Sequence, residues 1–310
     1  MEQSKRYKSN VLRFTQISTP TNIIFHLLLI GFSLACIIPF ILIISISLSP
    51  EQAINEHGYQ LIPKAISLEG FVYLIKQRAL ITRALGMSVL VTGLGTLLGI
   101  FLNTSMAYAL SRPDYKLRKF YTWVIFIPMV FGGGLVASYF VNSQVLHIKN
   151  TMWILILPLC VSSFNVILCR TFFRSNIPDS IIESAKIDGA THFTIYFRII
   201  LPLSLPVIAT IGLFMSFGYW NDWFLALLYL DNRELYTLQA LLTKLLADIE
   251  QLVKLAPYLS GGTVAQQMAN IPREAARMAV VVIIVLPIAC AYPFFQRYFV
   301  TGLMVGSVKG

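Results

Sequence analysis

The sequence predicts an all-α polytopic membrane protein with six transmembrane helices and a cytoplasmic helical hairpin. Three observations carry this. Of its 310 residues, 56% are hydrophobic and 12% are charged, against roughly 25% charged in a soluble domain. The charges are clustered, which leaves several apolar runs of about 20 residues, long enough to cross a hydrocarbon core of about 30 Å as helix. One polar-containing segment, Ser180 to Pro206, separates two strongly apolar runs and belongs to neither a tail nor an outer loop.

The first element is a polar, basic N-terminal segment, 1–22, with Lys5, Arg6, Lys8 and Arg13. The apolar run behind it is far longer than a signal-peptide core and is not broken early by a small-residue cleavage site. Six spans follow, near Ile23–Leu48, Leu85–Leu110, Thr122–Val141, Met152–Phe172, Leu203–Trp220 and Met278–Phe295, making 23–295 the transmembrane domain and 296–310 a C-terminal tail. Pro39, Pro128, Pro158 and Pro287 fall within or near spans, where packed neighbours can re-satisfy the freed backbone groups.

Orientation follows from the distribution of Lys and Arg, which accumulate in cytoplasmic loops. With the N-terminus inside, segments 1–22, 111–121, 170–202 and 296–310 carry 14 Lys/Arg against 5 Asp/Glu, and the outer segments 10 against 9. Both termini are therefore expected in the cytoplasm of a multi-pass protein of the cell membrane. The net charge of +10 is explained by this asymmetry, without nucleic acid. Two outer segments are long. Ser49–Ala84 holds a short surface helix near Leu68–Gln77. The segment 221–277 is too long for a plain connector and contains an amphipathic run, Thr237–Leu252. Trp220 and Trp223 suit an aromatic belt at the interface or the mouth of a substrate path, and both readings stay open.

Several chemistries lack their residues. Cys36, Cys160, Cys169 and Cys290 form no CxxC pair, which disfavours disulfides and metal sites. His26, His57, His147 and His192 show no ligand spacing. The glycines of Gly93–Gly99 have neither the dinucleotide spacing nor the Lys-Ser/Thr of a phosphate loop; they suit close helix approach. No GxSxG elbow occurs. The span centres hold essentially no charged residue, unlike ion-coupled transporters. The neutral polar groups Asn103, Ser162, Ser163, Asn165 and Ser216 fit interhelical hydrogen bonds or a path for a neutral solute such as a sugar.

The hairpin begins with a capping-box pattern, Ser180-x-x-Glu183, which predicts a helix over Ile181–Asp188. Gly189 stops it, since left-handed backbone costs glycine little. A second helix is expected over Thr191–Ile200, leading through Leu201–Pro206 into the fifth span. Two turns of isolated helix are unstable in water, so the first must dock, either along the bilayer or on a basic partner facing Glu183 and Asp188.

Glu183-Ser184-Ala185, Gly189, Ile199 and Leu201-Pro202 reproduce the spacing of the EAA loop, and the chain resembles the permease subunits of binding-protein-dependent ABC importers. Ser184 stands where that loop has its middle Ala. Asp188 before the glycine, Ala107–Arg112 and Trp220–Trp223 resemble the maltose-type, carbohydrate-uptake branch. Phe131–Leu135, Arg170–Phe173 and the ending Gln296–Gly310 resemble a sub-branch for oligosaccharides from complex polysaccharides, uronides included.

The resemblance implies a type I importer permease fold. It also implies a complex with a second homologous permease, two ATP-binding subunits and an extracellular sugar-binding protein. ATP and Mg would be bound by the ATPase subunits and no cofactor by this chain, which is not itself an enzyme. Glu183, Ser184, Ala185, Asp188, Gly189, Ile199, Leu201 and Pro202 would couple to the ATPase. Candidates for the substrate path are Asn165, Ser216, Tyr219, Trp220 and Asn221. Ser260–Pro272 would reach the binding protein, and Thr301–Gly310 the ATPase dimer. A permease for another solute, such as glycerol phosphate, would call for arginines lining the path. A membrane-embedded enzyme or scaffold has no catalytic constellation to support it.

Overall fold

The computed structural model describes residues 19–255 and 272–306, and no strand occurs among them. They divide into two compact units, 19–73 with 272–282, and 74–255 with 283–306. In chain order the helices are α1 Thr19–Ser47, α2 Glu51–His57, α3 Glu69–Ile75, α4 Arg78–Ser111, α5 Arg118–Val130, α6 Leu135–Phe140, α7 Trp153–Cys160 and α8 Ser163–Asn176. There follow α9 Asp179–Ile187, α10 His192–Ile195, α11 Leu201–Leu203, α12 Leu205–Asn221, α13 Phe224–Tyr229, α14 Leu238–Leu255 and α15 Arg273–Gly306.

In the first unit, α1 is apolar on all sides, and of its residues only Ser45, Ile46 and Ser47 are buried. Such a helix is at home in lipid, where apolar tails solvate it as well as a protein core would. The Glu51 carboxylate of α2 accepts the backbone N–H groups of Glu274 and Ala275 at 3.1 and 3.2 Å. It thereby caps the first turn of α15, whose N–H groups have no intrahelical partner. Ile46, Ile54 and Ala275 pack around this contact.

The second unit is built around α4, against which α7, α8, α12 and α14 pack. One cluster of buried side chains joins Val91, Ile156, Met215, Tyr229 and Leu241, and a second joins Ala107, Val166, Phe173, Ile182, Ile195 and Ile211. The second cluster seats the hairpin.

Only α1 and α4 are single helices long and apolar enough to cross a membrane among the described residues; counting bent pairs gives five. The third and fourth predicted spans are each such a pair, α5 with the stretch Leu135–Val145 bent by 116° and α7 with α8 by 46°; the fifth is α12, which forms the third pair with His192–Leu203, bent by 82°. The first break follows Pro128 and uses Gly134 at φ +79°. The second follows Pro158, with Val161 and Ser162 extended. The third follows Pro202, and Ser204 separates α11 from α12. Proline removes a helical hydrogen bond and crowds the preceding turn, and each break is local to one. The short helix expected over Leu68–Gln77 is α3, and the amphipathic run Thr237–Leu252 is α14. The stretch expected as a tail, 296–310, continues α15 as far as Gly306. The loop 260–271 and residues 307–310 lie outside the described residues.

Candidate functional site

The hairpin is built from α9 and α10. The expected capping box does not form. Pro178 is the N-cap, extended at φ −60° and ψ 137°, and helix begins at Asp179. Ser180 therefore lies in the first turn, and its carbonyl accepts the Ser184 hydroxyl at 2.9 Å. This has a consequence for Glu183. In a capping box its carboxylate would fold back on the Ser180 N–H; here it is exposed and has no hydrogen bond or ion pair among the described residues. Ser184 spends its hydroxyl inside the helix.

The C-terminus of α9 has the hydrogen bonds of a Schellman motif. Gly189 donates to Lys186 at 3.0 Å and Ala190 to Ala185 at 2.9 Å. Gly189 sits at φ +80°, where a side chain would be strained and glycine is not. Ala185 and Ala190 pack against the second core cluster, with Ile182 buried in it. On a helix of 3.6 residues per turn, seating Ile182 and Ala185 turns Glu183, Ser184, Ile187 and Asp188 outward. Ile187 is 86% exposed, and Phe193 on α10 is 76% exposed. Thr191 caps α10, its hydroxyl accepting from the Thr194 N–H at 3.3 Å. The expected Thr191–Ile200 helix then widens into one π turn, Tyr196–Ile200. Ile199 and Leu201 lie half-buried on the same cluster as Ala185, and Pro202 is exposed.

Ionic and polar contacts hold the hairpin to the end of α4. Arg112 donates to Asp179 at 3.2 Å, with the guanidinium 5.6 Å from the Tyr108 ring centre and its Nε on the Ser111 hydroxyl. Lys186 donates to Asp114 at 2.7 Å. That bond holds the Asp114 carboxyl below its ordinary range and raises Lys186. Thr104 and Tyr196 share a hydrogen bond at 2.7 Å.

Of the residues proposed for a substrate path, Ser216, Tyr219, Trp220 and Asn221 lie on α12 and Asn165 lies buried on α8. Tyr219 is a strut: it is 2% exposed, donates to the Ile156 carbonyl at 2.8 Å, and its ring lies over Gly95. Ser216 donates to Leu213 and Asn221 to Phe217, both within α12. Trp220 is half-buried and Asn221 exposed. Just beyond, burial pushes the Asp222 carboxyl up, against the pull of the Leu225 and Phe224 amides.

The sequence reading missed Ile187 and the pairings of Arg112 and Asp114. Ile187 was recoverable, since it stands opposite Ile182 and Ala185 on a helical projection. The ion pairs join residues 67 and 72 positions apart, beyond the reach of local patterning.

A family model described as binding-protein-dependent transport system inner membrane component matches residues 95–305. The polygalacturonan/rhamnogalacturonan transport system permease protein YtcP of Bacillus subtilis (strain 168) is 37% identical over 93% of this chain and 99% of its own length. Protein LplC of the same organism is 36% identical over 90% of this chain and 92% of its own. The arabinooligosaccharides transport system permease protein AraQ of Halalkalibacterium halodurans is 29% identical over 92% of this chain and 96% of its own. A crystal structure of a bacterial ABC transporter involved in the import of the acidic polysaccharide alginate includes a similar chain. The two superpose with a TM-score of 0.78 at 26% identity, covering 92% of this chain and 99% of that one.

Proposed function

From the premise that this chain belongs to the family of binding-protein-dependent transport system inner membrane components, we propose that it is the permease subunit of an ABC importer that carries an oligosaccharide into the cytoplasm. The observation that carries the sugar is the likeness to YtcP along 93% of this chain. An acidic, uronide-containing oligosaccharide is the favoured class, since YtcP and the alginate importer are both named for acidic polysaccharides. The span centres lack Lys and Arg, so the counter-charge for a uronide falls to the partner permease. Asn221, Trp220 and Ser216 on α12, with Asn165, are this chain's contribution to the path.

The importer comprises a second, homologous permease, two ATPase subunits that bind ATP and Mg, and an external binding protein. The six spans are α1, α4, α5 with Leu135–Val145, α7 with α8, α12 and α15, and both termini lie in the cytoplasm. The α9–α10 hairpin is the part that docks on the ATPase. Its exposed Glu183, unpaired among the described residues, its outward Ile187 and Asp188, and the turn at Gly189 support this reading.

The test is uptake of labelled oligogalacturonides by cells or liposomes holding the complete importer. Neutral glucose oligomers serve as the comparison. Uptake should require ATP and the binding protein, and Glu183→Lys should abolish it. Undiminished uptake by Glu183→Lys would remove the docking role, and transport of neither oligomer would remove the sugar assignment.

A further inference from the structure

The chain itself ties α9 to α8, through Ile177 and Pro178, and to α10, through Gly189 to Thr191. A force on α9 would reach those two elements whatever else the fold contained. The ion pairs add a third recipient. We propose that Arg112 and Asp114 are positioning residues that fasten α9 at two points, the C-cap of α4 and the turn that follows it, so that a push on α9 moves the end of α4 with it. This rests on the reading of α9 as the ATPase-docking helix.

Three features support it. The two ion pairs hold opposite ends of α9: Asp179 is its first residue and Lys186 its next to last. At about 1.5 Å per residue they are roughly 10 Å apart along the axis. A single contact leaves a pivot, whereas two spaced contacts fix orientation.

The signs are also matched in one register. The C-cap of α4 presents a cation, Arg112, and the turn after it an anion, Asp114; α9 presents an anion, Asp179, and then a cation, Lys186. Reversing α9 would set Arg112 on Lys186 and Asp114 on Asp179, and like charges so placed select against that arrangement.

The two pairs differ in setting. The Arg112 side chain is 6% exposed and is held by Ser111 and Tyr108 as well as by Asp179, so its orientation does not rest on the ion pair alone. The Lys186–Asp114 pair is solvated, with side chains 39% and 54% exposed. Exposed pairs of this kind add little to stability, which leaves alignment as its use. Between the two, Ile182 and Ala185 pack on the cluster that includes Ala107 and Tyr108 of α4. α4 in turn packs along α7, α8 and α12, so it can pass the displacement to two of the three bent pairs.

The experiment uses the complete importer in liposomes and reads oligogalacturonide taken up per ATP hydrolysed, together with the amount of assembled complex. Asp114→Lys should lower the uptake-to-hydrolysis ratio by about tenfold, within the usual range of coupling between sites, while the ATPase subunits remain bound. Adding Lys186→Asp, which restores opposite charges in the swapped order, should bring the ratio back to within about twofold of the parent. Asp179→Asn removes the other pair without adding a charge and should lower the ratio on its own, which keeps the test open should Asp114→Lys fail to assemble. An unchanged ratio in both single variants, or a double variant no better than Asp114→Lys, would overturn the proposal. Glu183→Lys separates this from the docking reading. If it abolishes coupling while the Asp114 and Asp179 variants do not, only the fastening fails. If it too leaves the ratio unchanged, the docking assignment fails first.

Discussion

The side-chain amide of Asn103 closes the gap in the backbone between Cys160 and Ser162. Its Oδ1 accepts the Ser162 N–H at 3.0 Å, and its Nδ2 donates to the Cys160 carbonyl at 2.8 Å. Both are groups that the break between α7 and α8 removes from the helical ladder. Gly99 lets the two backbones meet here, since a Cβ on it would lie 2.9 Å from the Cys160 oxygen. Irregular backbone at membrane depth persists only where such partners exist.

Asn103→Ala should therefore destabilise the purified importer by about 1–3 kcal/mol, the cost of leaving buried polar groups unpaired. The midpoint of thermal unfolding checks this. Asn103→Asp should also destabilise, because it can accept from Ser162 but cannot donate to Cys160. A variant as stable as the parent would show that water or rearranged backbone takes over the two bonds.

Gly189→Val should weaken coupling at the hairpin. An added Cβ meets nothing within 4 Å, so the effect is purely one of backbone conformation, about 1–2 kcal/mol for a residue held in the left-handed region. Gly189→Asn should be milder. ATP hydrolysis stimulated by the binding protein is the measurement, and equal rates for Gly, Asn and Val would refute the argument.

Ile187→Ser should leave the permease as stable as before, because the side chain is 86% exposed and exposed substitutions usually stay within about 0.5 kcal/mol. Retention of the ATPase subunits should fall about tenfold or more, the equivalent of unburying a side chain worth about 1.5–3 kcal/mol. Titrating the ATPase onto the immobilised permease pair reads this directly.

The Asp114–Lys186 pair should make coupling indifferent to pH over the physiological range. Asp114 is held below 3.8, so its contribution is present above that value and lost as pH falls through the lowered one. Lys186 is raised above 10.5, so its contribution is present below that value and lost as pH rises through the raised one. Of the neighbouring groups, Tyr108 and Arg112 bear on Lys186, and His192 only lowers Asp114 further. Uptake per ATP should be flat from about pH 5 to about pH 9. It should fall in about 1 M salt, where the screening length is about 3 Å and exposed pairs weaken.

The membrane class and the apolar segments were legible in the sequence because hydropathy is a local property. The breaks were not. Of the prolines noted within or near spans, Pro128 and Pro158 stand beside breaks while Pro39 and Pro287 lie inside unbroken helices, and the bond that closes one break comes from Asn103, 57 and 59 residues away. The hairpin was legible in outline, since Gly189 stops α9 where its backbone preference predicts. The start was misplaced because Ser180 was read as a cap, whereas Pro178 already supplies the extended residue and the Asp179 side chain is engaged by Arg112. That error concealed the exposure of the Glu183 carboxylate, which has no hydrogen bond or ion pair among the described residues.

The 34 residues of α4 give it a length of about 51 Å, against a hydrocarbon thickness of about 30 Å. Even a tilt of about 40°, the upper end of what spans adopt, leaves roughly 9 Å to spare. A helix with that surplus is longer than the hydrocarbon it would cross, and Arg112 caps one end of it. With the bilayer spanned by α4, a thinner membrane would leave more of the helix outside the hydrocarbon and a thicker one less, without any change in the protein.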